Sequence, residues 1–224
     1  MRITALFMLM AVAAGACAAP ASSADWPAFH NGGGLRGVGA PVGAPPMKVR
    51  WTYFTDETEP AGIEGGAAIV GDTAYAGDGA GGLHAVDLKT GKARWVYKSE
   101  NGFATTPLVL NGRVFIGDIS GVFHCVSADK GEKVWAVDTQ SPIKASSNAL
   151  GERIVFGNDG AEIYCLDAKT GKELWKATAG DRVNATPAIV NGLALVSGCD
   201  AKLRGIDVQT GEEKFAADLG ALAP

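Results

Sequence analysis

The residues best suited to chemistry recur along the chain at a constant spacing of 40 residues. They form four segments with the pattern Asp-x-x-Thr-Gly or a close variant: Asp87-Leu-Lys-Thr-Gly91, Ser127-Ala-Asp-Lys-Gly131, Asp167-Ala-Lys-Thr-Gly171 and Asp207-Val-Gln-Thr-Gly211. Carboxylate and hydroxyl oxygens in such an array could bind calcium or act as acids and bases. The same carboxylates can instead accept hydrogen bonds from their own turns, with the glycine at positive φ. Because the pattern returns in every repeat, we assign it to the fold and predict no catalytic or metal-binding role.

The histidines do not form a recognisable catalytic set. His84 and His124 share one repeat position, where Tyr164 and Arg204 stand in the next two repeats, so this position favours a long amphipathic side chain between sheets. The only acidic cluster, residues 56–59, is interpreted as a solvated loop rather than a metal site. The chain contains no Gly-x-Ser-x-Gly, His-Glu-x-x-His or phosphate-loop motif.

The segments that must position these residues have the pattern of short β-strands. In the second repeat, strands are predicted at residues 106–110, 113–117, 122–127 and 132–137, and Asn111-Gly112 is a strong hairpin signal between the first two. Four antiparallel strands in about 40 residues are typical of a β-propeller blade. A parallel β-helix is the alternative, but its coils are usually shorter and lack Asn-Gly hairpins. We therefore predict an all-β propeller of four-stranded antiparallel blades.

An aromatic residue follows each turn glycine by four positions: Trp95, Trp135, Trp175 and Phe215. The third strand of each blade carries large apolar residues on both faces, so each sheet must be covered on both sides. Between them lies a small residue, which leaves room for a bulky neighbour from the adjoining blade: Ala85, Cys125, Cys165 or Gly205. We predict that the aromatic ring fills this space and forms the main contact between blades, since an indole can bury roughly 150 to 250 Å².

The chain divides into a signal peptide, an N-terminal segment and four repeats: residues 1–24, 25–64, 65–104, 105–144, 145–184 and 185–224. Trp51 is interpreted as part of the fourth strand of a partial blade whose other strands lie elsewhere. Four repeats leave apolar faces open at both ends, so we expect an incomplete ring that belongs to a longer protein. A small four-bladed ring and a dimer of two arcs are the alternatives.

The first residues have the layout of a secretion signal, with Arg2, an apolar run and small residues through Ala24. Export to the periplasm or cell envelope is therefore expected. Residues 14–17 loosely resemble a bacterial lipobox that would lipidate Cys17, whereas ordinary signal peptidase cleavage, which we favour, would discard this cysteine. No later stretch approaches the roughly 20 apolar residues of a membrane span. A formal net charge of -4 without a basic stripe argues against nucleic-acid binding.

The repeats resemble the pyrroloquinoline quinone (PQQ) type propeller repeat, whose consensus is Leu-x-Ala-Leu-Asp-x-x-Thr-Gly-x-x-x-Trp. The corresponding segments are Leu83-His-Ala-Val-Asp-Leu-Lys-Thr-Gly-Lys-Ala-Arg-Trp95 and Ile163-Tyr-Cys-Leu-Asp-Ala-Lys-Thr-Gly-Lys-Glu-Leu-Trp175. The resemblance covers Gly65 to the end of the chain and implies one of two functions. Quinoprotein alcohol and sugar dehydrogenases bind PQQ and calcium at the propeller centre, whereas BamB-like propellers bind other proteins and carry no cofactor.

The details favour the second function. The chain lacks the neighbouring cysteine pair of dehydrogenase members, and no Asp-Glu-Asn set can be assigned outside the repeat register. We predict a non-catalytic exported scaffold that binds other envelope proteins, carries no cofactor and self-associates through open blade faces. The alternative is a fragment of a PQQ- and calcium-dependent quinoprotein alcohol or sugar dehydrogenase.

Overall fold

The computed structural model describes residues 25–39, 48–56, 58 and 60–220. This part of the chain forms four separate four-stranded sheets and a single helical turn, a 3₁₀ turn at Phe29–Asn31. The predicted signal peptide and Cys17 lie outside the described residues. No helix in the described part is long and apolar enough to cross a bilayer.

Each repeat forms one sheet. Blade 1 contains β1 (Ala68–Val70), β2 (Thr73–Gly77), β3 (Gly82–Asp87) and β4 (Ala93–Lys98). Blade 2 contains β5 (Leu108–Leu110), β6 (Arg113–Gly117), β7 (Val122–Ser127) and β8 (Lys133–Asp138). Blade 3 contains β9 (Asn148–Leu150), β10 (Arg153–Gly157), β11 (Glu162–Asp167) and β12 (Glu173–Thr178). Blade 4 contains β13 (Ala188–Val190), β14 (Leu193–Ser197), β15 (Lys202–Asp207) and β16 (Glu213–Asp218).

Strands pair antiparallel with their sequence neighbours, in the order first-second-third-fourth within every sheet. The predicted all-β class with four-stranded antiparallel blades is thus confirmed, and the four blades of the described residues do not close into a ring. The first strand of blade 2 begins at Leu108 rather than Thr106. Pro107 explains the difference, because it has no N–H to contribute to a ladder.

The hydrophobic core lies between the blades. Large apolar side chains from facing sheets bury one another, as in the stacked rings of Phe123 and Phe156, which are 4.1 Å apart. Leu83, Phe123 and Ile163, at equivalent positions on the third strands, are fully buried. Each inner blade is therefore covered on both faces, and the stack derives its stability mainly from these junctions.

The small residue of the third strand has a different neighbour from the predicted one. Ala85 and Cys125 stand directly opposite Trp95 and Trp135 of the same sheet. At Gly205, an added Cβ would lie 2.2 Å from the ring of Phe215, also in the same sheet. The predicted space is thus occupied by the aromatic residue of the same blade. A register shift next to this cross-strand pair brings the aromatic residue opposite the small one.

Candidate functional site

The turns lie at two ends of the blades. The hairpin rim consists of the turns between first and second strands together with the Asp-x-x-Thr-Gly turns. The two kinds of turn are joined by hydrogen bonds, such as the one from the Leu88 N–H to the Asp72 carbonyl at 2.9 Å. The linker rim consists of the turns between second and third strands together with the connections between blades. There the Phe103 N–H donates to the Asp78 carbonyl at 2.8 Å.

The carboxylates of the hairpin rim are used within their own turns. Asp87 Oδ1 accepts hydrogen bonds from the Lys89 N–H, the Thr90 N–H and the Thr90 hydroxyl at 2.9 to 3.0 Å. The Arg94 guanidinium, followed by these turn donors, lowers the pKa of Asp87 to about 2. Asp167 and Asp207 accept equivalent bonds. The turn glycines all have positive φ: Gly91, Gly131, Gly171 and Gly211.

Each tryptophan of a fourth strand contacts the Asp-x-x-Thr-Gly turn of the following blade, which we call its docking turn. The indole Nε1 atoms of Trp95, Trp135 and Trp175 donate to carbonyls in these turns at distances of 3.0, 3.3 and 2.9 Å. Trp51 donates in the same way to the Leu88 carbonyl of blade 1 at 2.8 Å. Phe215 occupies the equivalent position in blade 4, has no N–H to donate and is 42 % exposed.

Two buried polar networks lie on the linker rim. In blade 1, His84 Nε2 is 2.7 Å from Asp78 Oδ2, and His84 Nδ1 is 2.8 Å from the Tyr53 hydroxyl. Asp78 Oδ1 also accepts the N–H groups of Ala80 and Gly82. Because an ionised carboxylate only accepts hydrogen bonds, His84 Nε2 donates to Asp78, which leaves Nδ1 of the neutral imidazole to accept from the Tyr53 hydroxyl.

Blade 2 repeats this arrangement. His124 is 3.0 Å from Asp118 through Nε2 and 3.1 Å from the Tyr97 hydroxyl through Nδ1. The Ser99 hydroxyl donates to Asp118 at 3.1 Å and lies 3.5 Å from His124 Nε2. Burial lowers the pKa of His124 despite the opposing effect of Asp118. Burial alone would raise the pKa of Asp118, but hydrogen bonds from His124 and its own turn lower it overall.

The Ser99, His124 and Asp118 side chains do not have the arrangement of a nucleophile with its base. In a serine hydrolase the histidine contacts the serine through one nitrogen and the carboxylate through the other. Here both the serine and the carboxylate lie at Nε2, and Ser99 donates its proton directly to Asp118. A cavity of about 200 Å³ beside this group is lined by Tyr97, Glu100 and the network itself. The network joins β4 of blade 1 to blade 2 and is suited to positioning blades.

The sequence contains a signal for these networks that is not visible at single positions. Asp78 and Asp118 each precede the blade histidine by six residues. In blade 4 both partners change together. Gly198 stands at the position of the aspartate and Arg204 at that of the histidine, and Arg204 pairs with Asp200 instead. In blade 3 the hydroxyl of Tyr164 donates to Glu162 at 2.7 Å. A buried polar residue on the third strand is thus matched by an acceptor near the preceding turn in every blade.

The N-terminal segment at residues 25–37 crosses the inner edges of the blades, the side of each first strand on which no other strand of the described residues pairs. Trp26 exchanges two backbone hydrogen bonds with Ile69 of β1, and the Pro27 carbonyl accepts the Val109 N–H of β5 at 2.7 Å. We call this stretch the axial segment. Its position was not predicted from the sequence.

The axial segment also reaches the other two blades. The Gly33 carbonyl accepts the Ile189 N–H of β13 at 2.8 Å and the Asn148 Nδ2 group of β9 at 2.7 Å. Asn148 is 2 % exposed and also accepts the Gly33 N–H through Oδ1. One continuous segment therefore contacts the first strand of all four blades.

The cysteines of the described residues are free: Cys125 and Cys165 are buried and Cys199 is exposed. Burial raises the pKa of the Cys125 thiol to about 12 and that of Cys165 to about 11. Neither side chain is therefore a thiolate nucleophile near neutral pH. The part of the chain that the structure describes also contains no group of three or more His, Cys, Asp or Glu side chains able to hold a metal ion.

A family model described as outer membrane protein assembly factor BamB matches residues 42–150 and, in a second alignment, residues 119–221. No curated protein sequence gives a significant match. Among solved structures, BamB from Moraxella catarrhalis is 27% identical with a TM-score of 0.65; the alignment covers 70% of this chain and 53% of that one. The chain therefore spans about half the length of that BamB.

Two further structures share the fold at lower identity. A quinohemoprotein alcohol dehydrogenase from Comamonas testosteroni is 16% identical with a TM-score of 0.75, over 87% of this chain and 41% of that one. The computationally designed Ika4 protein is 16% identical with a TM-score of 0.59, over 77% of this chain and 100% of that one. At this identity both similarities concern the fold alone.

Proposed function

Because the chain belongs to the family described as outer membrane protein assembly factor BamB, we propose that it is a non-catalytic, exported β-propeller protein that serves as a scaffold for protein–protein interactions in the bacterial cell envelope. The observation that supports this most directly is the axial segment. It occupies the inner edges of all four blades, at the propeller centre where the resemblance to quinoprotein dehydrogenases would place PQQ and calcium.

The residues around the inner edges do not suit a quinone with its calcium ion. The inner-edge N–H groups of Ile69, Val109 and Ile189 are bonded to the axial segment. Asn148, the buried amide on β9, is also committed to Gly33 and Pro187. A calcium ion takes six to eight oxygen ligands, usually including carboxylates, and the described residues offer no cluster of acidic side chains there. We therefore propose that the protein carries neither PQQ nor calcium.

The linker rim is the surface best suited to a protein partner. Its exposed acidic residues are Asp56, Glu64, Glu100, Asp138, Asp181 and Asp218, and they outnumber the exposed basic residues Lys98, Arg182 and Lys202, of which Arg182 lies 3.8 Å from Asp181. The basic side chains Lys144 and Lys176 on this rim are paired with Asp159 and Glu162. Since complementary charge steers association and selects partners, this rim favours a basic surface on another envelope protein.

Photo-crosslinking in intact cells tests the scaffold role. A photoreactive residue at Glu100 or Asp138, both exposed on the linker rim, should give discrete adducts with envelope proteins. The same residue at Val134, exposed on the outermost strand of blade 2, is the control and should give fewer.

A titration of the purified protein with PQQ and calcium tests the alternative dehydrogenase function. We expect no saturable binding. Tight PQQ binding together with the absence of linker-rim adducts would reverse the assignment.

A further inference from the structure

A cleft of about 410 Å³ opens on the hairpin rim between blades 2 and 3, each of which has a neighbouring blade on both sides. Its floor is formed by the buried side chains of Phe115 on β6 and Ala168 in the docking turn of blade 3. Leu110 of β5, which is half-buried, lies beside them. The ring of Phe115 packs against that of Trp135 at 5.7 Å. The floor of this hairpin-rim cleft is therefore apolar and supported by the core.

Arg113 places an unpaired positive charge at the cleft. Its Nη1 atom donates to the carbonyls of Ala168 and Lys169 at 2.9 and 2.7 Å, which fixes the guanidinium against the docking turn. Its other N–H groups have no oxygen acceptor in the described part of the chain, whereas Arg94 and Arg204 are each paired with a carboxylate. The exposed Lys169 also lines the cleft and makes no salt bridge within the described residues.

The acidic side chain that lines the cleft is already in use. Glu152, in the first hairpin of blade 3, accepts a hydrogen bond through Oε1 from the side-chain amide of Asn111, in the first hairpin of blade 2. Both residues are exposed. Since Arg113 and Lys169 outnumber Glu152, the cleft combines an apolar floor with a net positive charge.

The junction between blades 1 and 2 has different side chains at the same place. Tyr75 stands at the position of Phe115, and its hydroxyl crosses to the docking turn and donates to the Ala128 carbonyl at 3.3 Å. Phe115 has no hydroxyl with which to reach the equivalent Ala168. Thr73 stands at the position of Arg113, so this junction also lacks the positive charge.

The junction between blades 3 and 4 differs as well. Val208, which is larger and fully buried, stands at the position of Ala168. Arg153 is equivalent to Arg113, but its Nε atom donates to the side chain of Gln209 at 2.8 Å. Among the three junctions, the one between blades 2 and 3 therefore alone combines a small docking-turn residue with a guanidinium that has no side-chain oxygen partner.

We propose that the hairpin-rim cleft binds an exposed acidic segment of a partner protein, in which an aromatic or leucine side chain lies next to an aspartate or glutamate. The apolar side chain covers Phe115 and Ala168, and the carboxylate accepts the remaining N–H groups of Arg113. Hydrogen bonds between a guanidinium and a carboxylate are among the stronger ones in proteins. The cleft lies near the lower end of the roughly 300 to 1,000 Å³ of ligand sites, which suits one large side chain with its neighbours.

This inference rests on the scaffold role proposed above, because it takes the ligand to be a protein segment. It adds a second surface with the opposite charge preference. The linker rim favours a basic surface, whereas the cleft on the hairpin rim favours an acidic segment. Because the two rims lie at opposite ends of the blades, the protein can hold two different partners at the same time.

Nuclear magnetic resonance spectra of the ¹⁵N-labelled protein, titrated with a short peptide, test the cleft. The peptide Ser-Gly-Glu-Phe-Glu-Gly-Ser with blocked ends should shift the amides of residues 110–113 and 168–170 saturably, with a Kd below about 1 mM. A peptide with Lys-Phe-Lys at its centre lacks the carboxylates, and one with Glu-Gly-Glu lacks the ring. Both should bind at least about tenfold more weakly.

Three variants locate the binding. Arg113→Gln removes the charge but keeps a group able to donate to the docking-turn carbonyls, and it should weaken binding at least about tenfold. Ala168→Val introduces the side chain that blade 4 has at this position and should weaken binding to a similar extent, about tenfold or more, by filling the cleft without changing any charge. Arg153→Gln, at the equivalent position of blade 3 and outside the cleft, is the matched control and should leave the Kd unchanged.

The proposal is wrong if the Glu-Phe-Glu peptide produces no saturable shifts at these amides, or if Arg153→Gln weakens binding as much as Arg113→Gln. Phenylacetate that binds as tightly as the peptide would also overturn it, because the cleft would then be a site for small molecules. Circular dichroism establishes whether Arg113→Gln folds; if it does not, Ala168→Val decides. Crosslinking from the linker rim is measured separately. Peptide binding without linker-rim adducts supports the cleft and counts against the linker rim, whereas the reverse result rejects the cleft alone.

Discussion

The docking-turn glycine is restricted by two independent features of its surroundings. Gly131 has φ of +73°, in the left-handed region that side chains rarely adopt. A Cβ at this position would also lie 2.6 Å from Cδ2 of Trp95 on the preceding blade. Gly112, in the first hairpin of the same blade, has a nearly identical φ of +72°, but a Cβ added there would meet no atom within 4 Å. The two positions therefore separate backbone strain from contact with the indole.

Replacing each glycine by alanine measures the contribution of this close approach. Gly112→Ala should lower the free energy of unfolding by about 1 to 2 kcal/mol, the cost of the left-handed conformation. Gly131→Ala should lower it by a further 1 to 3 kcal/mol, roughly the cost of overpacking, because the new methyl group displaces Trp95. Urea denaturation followed by tryptophan fluorescence measures both. Equal losses for the two variants would mean that the indole is not held against the turn.

At the scale of elements, the positions of the strands could be predicted from the sequence, whereas the contacts between blades could be predicted only in part. Asn111-Gly112 identifies one hairpin from local residues alone, and the 40-residue spacing locates its counterparts in the other blades. The side of the sheet that Trp95 covers depends on the register shift after Ala85, which no local pattern indicates. The axial segment was unpredictable for a related reason: Gly33 binds Asn148, 115 residues further along the chain.

The junction between blades 1 and 2 should respond to pH through His124. Burial lowers the pKa of this imidazole, so below about pH 6.5 the unfolded chain binds a proton that the folded protein does not. The free energy of unfolding should therefore fall as the pH is lowered through this value. A single proton limits the slope to about 1.4 kcal/mol per pH unit.

Urea denaturation of the wild type and of His124→Gln between about pH 8 and pH 5 measures this effect. The variant keeps a side chain able to donate to Asp118 but does not titrate. Its stability should depend less steeply on pH than that of the wild type below about pH 6.5. Parallel curves for the two proteins would assign the pH dependence to other groups.

At the scale of the whole molecule, the axial segment supplies the hydrogen-bond partner that an inner edge strand otherwise lacks. Unpaired edge strands are prone to join strands of other chains. The N–H groups of Ile69, Val109 and Ile189 would present such edges on three blades without Trp26, Pro27 and Gly33. A segment that crosses all four blades also joins repeats that otherwise contact only their neighbours.

Hydrogen exchange of a variant that lacks residues 25–37 tests this role of the axial segment. The amides of Ile69, Val109 and Ile189 should exchange at least about tenfold faster, because their acceptors are removed while the strands remain. Amides of β6 and β14, which are bonded within their own sheets, are the internal control and should keep their protection. Equal acceleration at both sets of amides would mean that the segment stabilises the protein globally. Unchanged exchange at the three edge amides would mean that the segment does not cover the inner edges, and the main support for a scaffold without a cofactor would be lost.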